Sequence, residues 1–431
     1  MTARRIGLLA LVTASLCACG DDAAPCDTEI PGNICTIAGN VSSGYDKNAD
    51  EESIPALKAR MSLPQDTLTA PDGTIYVLDW NNHRIRSLTD DGMLTWVAGI
   101  GELGGGLDDP ANGDFNHPTN IIFDESGENI LIAAWHNSKI RTLNLATGQI
   151  TDTCGSGGRS YFGDGGSALT AVLDLPASLA LAPGGDLVVM DQANQVLRRI
   201  DQTGTIHLLA GQCIIDSPAP EGPGPCADGV DPVQCPAGPA GPSGKWTCGD
   251  PAEFCSLPCT PGYAGDDGPA TELRMAQPFG QSATPAGRIV YDDAGNLYFA
   301  DTANHLIRKI DTSGIVTRIA GTAPVDGVGQ SGYSGDGGPA TDALINYPVD
   351  LDFGDDGTLY FTDVNNHCVR AISPTGVIST VAGACGEKGF SGDGGPASEA
   401  LLTLPFGLEV ADGRLHIADT GNQVIRTVLL P

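Results

Sequence analysis

The chain repeats itself, and no other feature limits its fold as tightly. Gly73-Thr-Ile-Tyr-Val-Leu-Asp79 returns as Gly295-Asn-Leu-Tyr-Phe-Ala-Asp301, Gly357-Thr-Leu-Tyr-Phe-Thr-Asp363 and Gly413-Arg-Leu-His-Ile-Ala-Asp419. An Asn-His-x-Ile-Arg-like stretch follows each copy, at 82–86, 304–308, 366–370 and 422–426, with Gln423 replacing His in the last. Weaker copies at 129–141 and 186–198 bring the total to six. Every unit also holds a Pro-led apolar segment and a closing Gly-x-Ile-x-x-x-Ala-Gly segment, as at 314–321 and 376–383. Alternating apolar residues between Gly, Asp and Asn punctuation read as four short antiparallel strands per unit. Six such units predict an all-β fold, a six-bladed β-propeller of four-stranded blades. The last unit stops after three strands, while Ile34-Cys-Thr-Ile-Ala-Gly39 is an orphan copy of the fourth. The N-terminal strand is therefore expected to complete the last blade, which leaves no open blade edge.

Residues before the repeats read as an address. A basic start, Met-Thr-Ala-Arg-Arg, leads into the apolar run 6–16. That run is far shorter than the roughly 20 residues needed to span a bilayer, and it fits an export leader. Leu16-Cys17-Ala18-Cys19 looks like a bacterial lipobox, which implies a signal peptide at 1–18, lipidation of Cys19 and a tether at 19–33 before a propeller at 34–431. Gly20 after Cys19 resembles the outer-membrane default of two-membrane bacteria. The expected location is thus the cell envelope, with lipid as the only membrane contact. An exported chain can oxidise its cysteines. Of 13 Cys, six fall within 213–259, which marks a Cys-rich insertion at 212–262 between the third and fourth units. Its pairing stays open, with a zinc site at Cys255-Ser-Leu-Pro-Cys259 as the rival reading. Eleven Cys follow Cys19, an odd number, so at least one thiol is free or pairs between chains. A formal net charge of −31 repels phosphate backbones and excludes nucleic acid as a partner.

The Asp-x-x-Asn-His-x-Ile-Arg core resembles the NHL-repeat family over residues 34–431. Four linkers add Tyr/Phe-x-Gly-Asp-x-Gly-x-Ala, at 161–168, 263–270, 333–340 and 390–397, a combination similar to the NHL repeats of teneurins. The resemblance implies a propeller, and the family includes scaffolds, receptors, RNA binders and a few enzymes. One enzyme group in it, the peptidyl-hydroxyglycine amidating lyases, implies zinc on His directly after the blade-opening Pro. Here those positions hold Gln65, Thr119, Ala177, Phe279, Val349 and Phe406, so that activity is not expected. His-Glu-x-x-His, Gly-x-Ser-x-Gly and Walker motifs are absent.

Residues repeated in every blade read as architecture, because a site that acts once breaks the symmetry. The repeated Asp (79, 191, 301, 363, 419) suits an Asx-type turn, and the repeated His and Arg suit bonds to neighbouring turns. Asp164, Asp266, Asp267, Asp336 and Asp393 in the Gly-Asp-Gly linkers suggest calcium, the one cofactor the chain hints at. The competing account has Gly supplying positive φ and Pro339 or Pro396 opening a short helical turn. Two features break the repeat. Trp80 and Trp135 occupy matching turn positions in adjacent units and predict an aromatic platform for a protein, peptide or glycan ligand. The second residue after each opening Pro varies as Asp66, Asn120, Ser178, Gly280, Asp350 and Gly407. Of these, Asp66, Asn120 and Asp350 predict a polar or cation-binding ring at the channel mouth. Turn-capping is the alternative for the ring, and packing under the long linkers for the two Trp. The resulting expectation is a lipid-anchored binding module with no reaction required. A metal-dependent hydrolase or lyase at the channel mouth is the alternative.

Overall fold

The computed structural model describes residues 26–44, 53–99, 101, 115–215, 258–280 and 283–431, together with the backbone of strand residues 233–234 and 245–247. The leader, Cys19 and most of the Cys-rich insertion lie outside them. Six antiparallel sheets follow one another along the chain. Blade 1 runs through Pro64–Thr69, Ile75–Asp79, Arg84–Leu88 and Met93–Ala98, with Ile54–Pro55 added outside. The inner strands of blades 2 to 5 are Pro118–Phe123, Pro176–Leu181, Ile289–Tyr291 and Pro348–Phe353. Blade 6 comprises Gly407–Ala411, Arg414–Asp419 and Val424–Leu429, and Ile34–Ala38 pairs antiparallel with the last, setting Ile34 opposite Val428. The six-bladed all-β prediction and its closure by the N-terminal strand both hold.

Packing between blades supplies the core. Between blades 4 and 5, for example, Ile307 and Ala320 meet Leu351, Phe361 and Ile378, with Ala340, Ala343 and Ile345 of the linker inserted beneath. The short 3-10 turns Ala340–Asp342 and Ala397–Glu399 put their alanines into these seams, as the Pro-led linkers suggested. Close approach explains the Ala-Gly ending of the outer strand. Gly383 has φ +89°, and a Cβ there would sit 2.6 Å from the His367 carbonyl oxygen.

The repeated polar residues form one unit rather than isolated turns. The expected Asx turn is replaced by a longer reach: one carboxylate oxygen of Asp79 accepts the backbone N–H of Ser62, and the other accepts Asn82 Nδ2. Asp191, Asp301, Asp363 and Asp419 do the same to Asp174, Ala276, Asn346 and Thr403. Each Asp thus ties the linker before its blade to the turn inside it. His83, His305 and His367 sit in the left-handed region, and their Nδ1 atoms accept the backbone N–H of His117, Tyr347 and Leu404, just before the next blade's Pro. Gln195 and Gln423 supply Oε1 to Gln277 and Leu63 in the same way. His and Gln interchange because each offers one acceptor at that reach.

Four of the five Gly-Asp-Gly carboxylates are engaged as well. Asp164, Asp266, Asp336 and Asp393 pair with Arg198, Arg308, Arg370 and Arg426 at 2.9, 2.7, 2.5 and 2.6 Å. Each guanidinium also lies over Tyr161, Tyr263, Tyr333 or Phe390, at 4.8–5.2 Å from the ring centroid. This spends the charge on buried arginines, so these four loops do not fit the calcium reading. Three disulfides are present among the described residues, Cys26–Cys35, Cys213–Cys259 and Cys368–Cys385. Cys154 is the free thiol among them and is buried between blades 2 and 3. Cys213–Ile215, Val233–Gln234 and Lys245–Thr247 make a small separate sheet after blade 3.

Candidate functional site

Inner strands of a propeller line its axis without pairing to one another, so their backbone N–H groups need other acceptors. The ring read from the sequence supplies them. Asp66 Oδ2 accepts the N–H of Ile121, Asn120 Oδ1 that of Leu179, Ser178 Oγ that of Ile289, and Asp350 Oδ2 that of Leu408. Each side chain therefore brackets its blade to the next. In blade 4 the ring position belongs to Arg288 and not to Gly280. Pro278, Thr284 and Ala286 are each tied to Gln192 of blade 3, and the inner strand starts after a second proline, Pro285.

Arg288 crosses the channel from blade 4 and closes it. Nη1 lies 3.0 Å from Asp66 Oδ2 and 3.9 Å from Asp350 Oδ2, while Nη2 donates to the carbonyls of Gln65 and Thr119. Asn120 Nδ2 donates to the same Asp66 oxygen at 2.8 Å. Asp66, Asn120 and Asp350 do come together, but around a guanidinium. Asp66 Oδ2 already accepts three donors, and the Asp350 oxygens accept the N–H groups of Leu351 and Leu408. The three residues do not fit a metal ion. Burial pushes the Asp350 carboxyl up to about 7 against the pull of Arg288, with Asp66 adding to the rise.

Beyond this floor the channel widens into a cavity of about 340 Å³. Leu68, Ile122, Ala180 and Val290 make an aliphatic wall from blades 1 to 4. Asp352 and Glu409 face it from blades 5 and 6. Floor residues are buried, whereas Phe123, Leu181, Tyr291, Asp352 and Glu409 are half-buried, so the cavity opens away from the long linkers. Asp352 accepts the N–H groups of Phe353 and Val410, and Glu409 accepts the N–H and hydroxyl of Thr69. Burial is the main cause that pushes both carboxyls up to about 7, and each group adds the other's charge or that of a neighbouring Asp. Sequence reasoning missed Arg288, Asp352 and Glu409. Two of them had a signal: Asp352 and Glu409 are acidic where the other blades place Leu68, Ile122, Ala180 and Val290.

The aromatic platform is not open. Trp135 is 1% exposed, stacks on His136 at 4.2 Å and donates Nε1 to Gln192 Oε1. It packs with Leu175, Ala177 and Ala193, while Trp80, 6.4 Å away, is half-buried against His117. Both Trp are thus largely spent on packing where the linkers enter. His83, His117 and His136 cluster beside them, and burial holds all three imidazoles below their usual range.

No protein-family model matches the chain. Mouse teneurin-1 is 24% identical over 92% of this chain, which spans only 13% of that protein. NHL repeat-containing protein 2 of Bos taurus is 26% identical over 69% of this chain, covering 37% of its own length. Among solved structures, a Bacteroides thetaiotaomicron protein of unknown function aligns over 92% of this chain and 75% of its own, with a TM-score of 0.58 and 16% identity. An auxiliary nutrient binding protein from the same organism aligns over 91% of this chain and 75% of its own, with a TM-score of 0.56 and 15% identity. These two share the fold. The Asp-x-x-Asn-His-x-Ile-Arg units, their six-bladed closure and the similarity to teneurins and NHL repeat-containing protein 2 together support an NHL-type β-propeller.

Proposed function

We propose that this propeller is a binding module of the bacterial cell envelope whose ligand enters the axial channel at the face away from the linkers. The observation that carries this reading is the channel itself: a blind cavity with one aliphatic wall and two carboxyls opposite. That pairing of surfaces suits an alkylammonium group, such as a small amine or the basic side chain of a peptide. Solved propellers of this shape include auxiliary nutrient binding proteins, which favours uptake or presentation of a small solute over a scaffold role. Export and anchoring through Cys19 complete the proposal, and the three disulfides suit an oxidising compartment. The hydrolase alternative loses its metal to Arg288.

Calorimetry with n-hexylammonium tests the channel. A cation favours ionised carboxylates, so affinity should rise about tenfold between pH 6 and pH 8 as Asp352 and Glu409 lose their protons. Glu409→Gln can still accept the Thr69 N–H through Oε1, with the hydroxyl bond reversed so that Nε2 donates to Thr69 Oγ1, and should abolish most of that rise. Absence of saturable binding, or binding indifferent to Glu409→Gln, refutes the channel reading. Palmitate labelling of the wild type and of Cys19→Ala tests the anchor separately.

A further inference from the structure

A second cavity, of about 570 Å³, lies at the seam between blade 6 and blade 1. Its origin is a break in the repeat. The position of His416 holds Tyr76, Leu131, Val188, Tyr298 and Tyr360 in the other blades. There it fills the seam: Tyr76 packs edge-on against Phe123 at 6.0 Å, and Tyr298 against Phe353 at 5.0 Å. In blade 6 the smaller imidazole stands beside Thr427, its cross-strand partner. Both line the cavity with Thr36, and aliphatic residues including Ile37, Ile75 and Leu88 form much of the remaining wall.

Three polar atoms of this wall have no partner within the protein. His416 and Thr427 are 4% and 3% exposed, and His416 Nδ1, Thr427 Oγ1 and Thr36 Oγ1 are buried without a hydrogen-bond partner. Three such atoms around one cavity call for a partner that is not part of the fold. The buried part of the wall carries no free charge to meet an ion. Arg414 donates to the Thr28 carbonyl and pairs with Glu29 at 2.5 Å, and desolvation keeps His416 neutral at pH 7. Asp90 is exposed at the rim. Hydroxyls and a neutral imidazole each donate and accept, which complements hydroxyl or carbonyl groups.

We infer that the seam between blades 6 and 1 is a binding site for a small uncharged ligand with an aliphatic body and a hydroxyl or carbonyl edge, held by His416, Thr427 and Thr36. The volume is within the range of small-molecule sites.

Titration of the full chain with cyclohexane-1,2-diol, followed by the imidazole nitrogen shifts of His416, tests the site. Saturable shifts confined to His416 among the seven His are expected. His416→Tyr refills the seam with the residue of blades 1, 4 and 5 and should leave the fold intact while lowering diol affinity at least about tenfold. Thr427→Val removes one hydroxyl at nearly constant volume, should weaken binding by about fivefold to tenfold, and serves if the Tyr variant fails to fold. Non-saturable shifts, a cavity that takes only water, or folded variants that bind the diol as wild type does would each overturn the inference.

Discussion

Replacing Arg288 with Met removes the strut across the channel while keeping much of its aliphatic length. Asp66 loses the guanidinium at 3.0 Å and Asp350 the one at 3.9 Å, and the carbonyls of Gln65 and Thr119 lose a donor. All five residues involved are buried, with Arg288 3%, Asp66 3%, Asp350 5%, Gln65 3% and Thr119 0% exposed, so solvent replaces little of this. Breaking a buried pair from one side costs about 3–5 kcal/mol. At roughly 2 cal/mol/K of unfolding entropy per residue, a propeller of roughly 400 residues has about 0.8 kcal/mol/K, so Tm should fall by about 4–6 °C. The loss should also depend on pH. Asp350 is already raised to about 7, and without Arg288 it rises further. A carboxyl raised in the folded state contributes stability that is fully present below its unfolded pKa, near 4, and is lost as pH rises through the folded value. Protonation near pH 5 should therefore relieve the part of the cost that comes from an ionised Asp350, and pH 8 should show a larger loss. Thermal unfolding followed by circular dichroism at both pH values measures this. A loss below about 1 kcal/mol at pH 8, or an equal loss at the two pH values, would refute the strut.

Gln423→His should be tolerated within about 0.5 kcal/mol, because His occupies that position in blades 1, 4 and 5, whereas Gln423→Ala leaves the Leu63 N–H unpaired and should cost about 1–2 kcal/mol; denaturant titration compares them. Cys154, whose thiol burial pushes up to about 12, should resist iodoacetamide in the native protein and react fully once unfolded, as read by mass spectrometry. Dialysis against EGTA should shift Tm by less than about 1 °C, since the linker carboxylates pair with arginine. By contrast Asp336→Ala, which strips an exposed partner from the fully buried Arg370, should cost about 1–3 kcal/mol.

Architecture was legible because propeller blades repeat their chemistry along with their geometry. The Gly-to-Asp segments mark the second strands, and the orphan copy at Ile34 marks the closure. The site was legible only in part. Asp66, Asn120 and Asp350 were recognised as a ring by position, yet their donors are backbone N–H groups of the following blade, which spacing does not reveal. Arg288 was hidden by a local ambiguity: Pro278 resembles a blade-opening residue, and the bonds that tie Pro278, Thr284 and Ala286 to Gln192 are tertiary ones that spacing does not reveal. Trp135 misled for the opposite reason. An aromatic on a turn looks displayed in sequence, but turns at the linker face are roofed by neighbouring blades. His416 carried a signal, a polar residue in an otherwise apolar or aromatic column, that reads as a cavity only once both sides of the seam are seen.

The pairing of Ile34–Ala38 with Val424–Leu429 has a consequence for how the molecule comes into being. The first propeller strand to be synthesised is bonded to the last, so it waits through the making of all six blades before its partner exists. Until then the growing chain is an open arc with two unmatched flanks, one at blade 1 and one at the newest blade. Such an intermediate offers β-edges to other chains, and pairing across so long a separation is slow. Ring closure is therefore the step at which assembly succeeds or diverts into aggregates. Lesions in Ile34–Ala38 should reduce the yield of folded protein more than equal lesions in an internal outer strand such as Ile206–Ala210.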